Sequence, residues 1–204
     1  YGPPGAAKSF VAIDWAMSVS CGLPWQNCFP VPLGNVLYIY SEGVEDLKLR
    51  LQAWQQHFGV ATDQLVDIRF SGSTYNFCEA CEAKAILDKY RQDIGYPKLM
   101  IVDTLARNVE GSANDDATMN AYVRNLDLLK HLPGATVLTI HHQGKDKGKG
   151  LRGSSVLSGA CDTILKMEST GEVATLFCEK QKDGKPFEPI KLERQILELG
   201  PSYS

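Results

Sequence analysis

Three short runs, Val36–Tyr40, Lys98–Asp103 and Ala135–Ile140, are almost wholly apolar, and longer amphipathic stretches separate them. A strand flanked by helices on both sheet faces needs apolar side chains on both of its own faces, so each run predicts a buried strand of a parallel sheet. Val66–Phe70 predicts a further strand. Helices are expected from Lys8 to about Cys21, with Phe10, Ile13 and Met17 at helical spacing and Gly22 as the stop, and from about Val44 to Phe58 on Leu47, Leu51 and Trp54. Two more are expected, one from about Phe77 to Gln92 capped by Asn76, the other from Asp116 to Leu132 with Met119, Tyr122, Leu126 and Leu129 inward. Pro24, Pro30, Pro32 and Gly34 make residues 23–34 a loop carrying Trp25, and Thr104 to Asp116 is a long polar loop. After a short helix near Ser154 to Gly159 the pattern turns to period two: Thr163–Met167, Val173–Lys180, a turn at Lys182-Asp183-Gly184, and Ile190–Leu197. The chain thus reads as α/β, a mostly parallel sheet flanked by helices with a C-terminal antiparallel extension.

Composition narrows this picture. At 204 residues with 44% hydrophobic content, one domain spanning 1–204 is expected. A formal charge of −3 gives no global pull on polyanions, so any nucleic-acid site must be a local basic patch. Six cysteines in a chain of this size suggest free thiols in a reducing compartment, and the Cys78-x-x-Cys81 pair lacks the second pair that a zinc site needs. With no long apolar span and no signal-peptide pattern, no membrane partner and a cytoplasmic location are expected.

The candidate chemistry begins at Tyr1-Gly2-Pro3-Pro4-Gly5-Ala6-Ala7-Lys8-Ser9, which leads into an apolar helix. The pattern is that of a phosphate-binding loop: Gly2, Pro3, Pro4, Gly5, Ala6, Ala7 and Phe10 line the nucleotide phosphates together with Lys8, whose ammonium meets the terminal phosphate, and Ser9, whose hydroxyl meets Mg²⁺. Ala7 departs from the pattern, standing where the second glycine belongs, and its Cβ restricts the backbone there. In α/β nucleotide folds a buried strand leads into such a loop. The chain begins at what would be that strand's last residue, so an N-terminally truncated domain is expected.

Other groups cluster at strand ends, where ligands of open α/β sheets bind. Asp103, about ninety residues after the loop, suits Mg²⁺ as a strand-end carboxylate. Glu42 is then available to polarise an attacking water. His141 and His142 alternate across the third strand tip, and His142 is favoured as the group sensing the terminal phosphate. The following stretch, Gln143 to Arg152, holds Lys145, Lys147, Lys149 and Arg152. The three lysines suit a phosphate backbone. Arg152, fixed by the segment after it, suits a γ-phosphate, including that of a neighbouring subunit.

Taken together, YGPPGAAKSFVAIDWAMSVSCG, VLYIYSEG, KLMIVDTLARN, GATVLTIHHQGK and LRGSSVLSGACDT resemble the RepA-type branch of RecA-like ATPases, which includes hexameric replicative helicases of plasmids and related phage ATPases. The resemblance covers nearly the whole chain. It implies a RecA-like P-loop NTPase fold, ATP and Mg²⁺ as cofactors, a homohexameric ring, and single-stranded DNA in its channel. It also implies Lys8 and Ser9 as Walker A residues, Glu42 as catalytic base, Asp103 as the Walker B carboxylate, His142 as phosphate sensor and Arg152 as a finger supplied in trans. The expected function is an ATP-driven motor on single-stranded DNA, a replicative helicase. Two alternatives stay open: a recombination or regulatory ATPase that does not unwind, and a nucleotide-binding assembly module with little turnover.

Overall fold

β1 (Val36–Tyr40) and β3 (Leu99–Asp103) are buried at all five of their positions. The computed structural model, which describes residues 1–41, 44–66, 68–130, 134–143 and 155–199, shows why. The two strands lie side by side in the middle of a parallel sheet of order β2-β1-β3-β4, where β2 is Ile68–Ser71 and β4 is Thr136–Ile140. On one face Leu37, Ile39, Met100 and Val102 pack with Ile86 and Tyr90 of α3 (Ala80–Ile94) and Met119 and Tyr122 of α4 (Asp116–Lys130). On the other, Val36, Tyr38, Tyr40 and Ile101 meet Ala12, Ile13, Ala16 and Met17 of α1 (Lys8–Cys21) and Leu47 and Trp54 of α2 (Val44–Phe58). Alternate residues of an apolar run therefore feed two cores.

Three sequence expectations shift in detail. β4 is only half-buried, not a third buried strand, because among the described residues it ends the four-stranded sheet and pairs with β3 alone. α3 begins at Ala80 rather than Phe77. Asn76 does not cap it: its Oδ1 accepts from the Cys78 and Glu110 backbone N–H groups, tying a turn to the 104–116 loop. The C-terminal strands β5 (Thr163–Thr170), β6 (Val173–Gln181) and β7 (Ile190–Glu193) form an antiparallel sheet of their own, separate from the parallel one. α5 (Ser155–Ala160) precedes it. Met167, Ala174 and Leu176 of this second sheet pack on Ala6, Ala7, Val11 and Trp25, so the small sheet backs the candidate phosphate loop.

Tyr1 and Gly2 stand between the two sheets. The Tyr1 ammonium donates to the Leu165 carbonyl at 2.6 Å, and the Met167 N–H donates to the Tyr1 carbonyl at 2.7 Å, the bonding of a parallel neighbour. On the other side Gly2 bridges His142 in parallel, and the Gln143 N–H donates to the Gly2 carbonyl at 3.1 Å. A Cβ on Gly2 would fall 2.3 Å from the Met167 carbonyl oxygen, so only glycine passes between these strands. A cleft of about 570 Å³, lined by Thr139, His141, Ile164 and Leu165 among others, opens beside Tyr1 between β4 and β5 and lies apart from Lys8 and Asp103. Among the described residues no helix is long and apolar enough to cross a membrane.

Candidate nucleotide site

The loop before α1 turns on Gly5 and Ala7. Gly5 has φ 76°, Ala7 φ 65°, and the Ala6 N–H returns to the Pro3 carbonyl at 3.3 Å. Ala7 is the N-cap of α1, and its methyl cannot accept a hydrogen bond, so no side chain caps the helix there. The first turn also carries no acidic residue. Backbone donors and the positive end of the helix dipole are thereby left for an external anion. Lys8 follows directly; its Nζ donates to the Gly2 carbonyl at 2.9 Å and the Pro3 carbonyl at 2.8 Å, so the ammonium folds across the loop. Pro4 and Gly5 are exposed at the loop's crest, and Ser9 is half-buried on the first turn.

Alanine at position 7 sits in a left-handed conformation, 9% exposed. That conformation costs a non-glycine residue about 1–2 kcal/mol. Burial of the methyl recovers about 0.8 kcal/mol, and restriction of the unfolded chain recovers about 0.4–1 kcal/mol more. The terms nearly cancel, which is how an alanine persists at a glycine position. Ala7→Gly is therefore expected to change stability by less than about 1 kcal/mol, while Ala7→Val, β-branched in the same conformation, loses about 2 kcal/mol or more. Thermal unfolding of the two variants checks this; equal effects would mean that backbone strain is not what limits the position.

Parallel register sets Tyr40 opposite Asp103 and Asp103 opposite Ile140, so the carboxyl ends of β1, β3 and β4 lie level. Asp103 is 3% exposed and accepts from the Tyr38 hydroxyl at 2.8 Å through Oδ2. Burial, reinforced by that carboxylate, holds the Tyr38 phenol well above its usual range, so the hydroxyl is the donor. Thr104, joined to Asp103 by a cis peptide, is also buried, and its Oγ1 has no hydrogen-bond partner among the described residues. Asn108 ties this corner together: Nδ2 donates to Ser41 Oγ at 2.9 Å and to the Thr104 carbonyl at 2.8 Å. The Ser41 N–H donates to the Asp103 carbonyl at 2.8 Å, which anchors the residue before Glu42 to the end of β3.

The fold thus brings Lys8, the loop and His142 together through Gly2, and it sets Asp103 on the sheet face packed against α1. Phe10 is 54% exposed, with the Arg50 guanidinium 4.5 Å from its ring centre and Arg50 Nη1 donating to Tyr40 Oη at 2.9 Å. Glu42, Lys145, Lys147, Lys149 and Arg152 lie outside the described residues.

Some polar contacts around the site escape sequence reasoning. Arg194, just past β7, donates through Nη2 to the Gly5 carbonyl at 2.7 Å and to Ser169 Oγ at 2.6 Å, so the small sheet grips the loop's backbone. Asp14 of α1 accepts from the indoles of Trp25 and Trp54 at 2.6 and 2.7 Å and fastens the proline-rich loop and α2 to the helix behind the candidate phosphate loop. Only Tyr38 leaves a signal in the sequence, since a tyrosine inside an apolar strand needs a partner for its hydroxyl.

Among the described residues no group of three or more His, Cys, Asp or Glu side chains is placed to hold a metal ion. A hydroxyl at a helix start and a single buried carboxylate suit Mg²⁺, which keeps waters and takes substrate phosphates in place of a protein cage. The orphaned Thr104 hydroxyl beside Asp103 points the same way.

Residues 1–148 match the AAA domain family, AAA_25. Among curated proteins none matches the chain. Among solved structures it is similar to the RadB recombinase, with a TM-score of 0.64 and 12% identity over 95% of this chain and 84% of that one. It is likewise similar to a DnaB-like replicative helicase described with its interactions with primase, with a TM-score of 0.62 and 17% identity over 94% of this chain. The chain spans about half the length of that helicase, 53%. The fold is that of RecA-like NTPases.

Proposed function

The chain belongs to the AAA domain family, and from that premise we propose that it is an ATP-hydrolysing motor domain acting on single-stranded DNA, a replicative helicase of the RepA type that works as a homohexameric ring. The observation that carries this reading is the uncapped start of α1 with Lys8 folded over the loop before it, on the same sheet face as the strand-end carboxylate Asp103. Charge placed there meets backbone donors, an ammonium and a dipole already oriented toward it.

In this reading Gly2 to Phe10 cradle the nucleotide. Lys8 exchanges its two carbonyl partners for the terminal phosphate, and Ser9 and Asp103 hold Mg²⁺, which when bound neutralises charge on the phosphates. Glu42 accepts the proton of the attacking water. His142, beside Gly2, senses the terminal phosphate and is followed directly by the Gln143–Arg152 stretch. Arg152 reaches the phosphate of the neighbouring subunit, and Lys145, Lys147 and Lys149 grip the DNA backbone. Both the recombinase and the helicase likenesses fit such a core. The first supports a second reading, an ATPase that assembles on DNA without unwinding it.

The test is hydrolysis with and without single-stranded DNA, together with ATP-dependent unwinding of a forked duplex. Stimulation with unwinding supports the helicase; stimulation without it selects the second reading; no hydrolysis under either condition overturns both. Replacing Lys145, Lys147 and Lys149 by alanine should weaken single-stranded DNA binding alike for all sequences and flatten the slope of log K against log salt by about 2. A sequence-selective loss would place the DNA grip elsewhere.

A further inference from the structure

We propose that Tyr38 is a positioning residue for the Asp103 carboxylate, fixing it in the orientation that receives Mg²⁺; this rests on the assignment of Asp103 to the metal made above. Tyr38 lies two residues before the end of β1, opposite Ile101, while Asp103 ends β3 opposite Tyr40. A hydroxyl from position 38 must therefore travel two residues along the strands, about 6.6 Å, to reach the carboxylate. A tyrosine ring spans that distance, and a serine or threonine does not. The phenol arrives at 2.8 Å from Oδ2 with the whole side chain buried, 0% exposed.

The ring is held on several sides. Phe70 of β2 and Tyr40 of the same strand each lie 5.7 Å away between ring centres, and the face it occupies packs against α1. A donor so confined sets the carboxylate's rotation, and in a site this buried no bulk water takes its place. The competing account is that Asp103 merely satisfies a buried phenol. The two accounts differ in one observable: positioning makes metal affinity depend on the hydroxyl, and mere satisfaction affects only stability.

The experiment uses Tyr38→Phe, Asp103→Asn and the double variant, with Mg²⁺ titrated against binding of a fluorescent ATP analogue and with thermal unfolding alongside. Tyr38→Phe is expected to raise the Mg²⁺ half-saturation concentration about tenfold while analogue binding in EDTA stays within about twofold of the parent. In the Asp103→Asn background the same substitution should shift the Mg²⁺ dependence less than about twofold, because the carboxylate it acts through is gone. An unchanged or lowered Mg²⁺ half-saturation in folded Tyr38→Phe, with Asp103→Asn impaired, overturns the positioning role and leaves the metal assignment standing. An unaltered Mg²⁺ dependence in Asp103→Asn overturns the metal assignment and this proposal together. Should Tyr38→Phe fail to fold, Tyr38→Met, which also lacks the hydroxyl, is read by the same criteria.

Discussion

Lys8→Ala is expected to lose measurable Mg·ATP binding at micromolar protein, and with it all hydrolysis. In the absence of nucleotide the Lys8 ammonium is satisfied by the Gly2 and Pro3 carbonyls, and on its removal these still accept from the Gln143 and Ala6 N–H groups, so the loop is not broken. The fold should survive. The loss falls on the complex, where charge-assisted contacts to a phosphate contribute about 1.5–3 kcal/mol, roughly ten- to two-hundred-fold in affinity. Calorimetric titration with an ATP analogue, paired with a melting curve, separates the two levels. Parent-like affinity in a folded Lys8→Ala protein would remove the loop from the mechanism, because no other cation in the Gly2–Phe10 segment could replace it.

Glu42→Gln is expected to bind ATP as tightly as the parent and hydrolyse it about 10²–10⁴-fold more slowly. The amide keeps the side chain's shape and can still orient a water, yet it cannot take the proton that water must shed. Binding and turnover therefore separate in this variant, where Lys8→Ala loses both. The residue before Glu42 is anchored for such a task, since Ser41 is bonded to the Asp103 carbonyl and to buried Asn108. Single-turnover hydrolysis with prebound ATP is the direct measurement. A normal rate would move the base role to another carboxylate, and weakened binding would assign Glu42 to holding the nucleotide.

What was legible in the sequence follows from short-range physics. The α1 and α2 boundaries, Lys8–Cys21 and Val44–Phe58, can be read from apolar spacing and, for α1, from the stop at Gly22, because 3.6-residue periodicity and a left-handed C-cap are written within a few positions. The buried runs at 36–40 and 99–103 were legible for the same reason, and the turn leading into α1 because its glycines and prolines are contiguous. The half-exposed face of β4 was not, since an apolar run does not say whether a second strand lies beside it. Nor was the start of α3, where Asn76 spends its acceptor on a turn and on Glu110, far along the chain, instead of a cap. The separation of the antiparallel strands into their own sheet, with Tyr1 and Gly2 between, and the grip of Arg194 on Gly5 join residues far apart in the chain. The Tyr38–Asp103 bond is of the same kind: sequence supplied a phenol that needs a partner and a carboxylate that needs a donor, but only the parallel register of β1 on β3 placed one at the reach of the other.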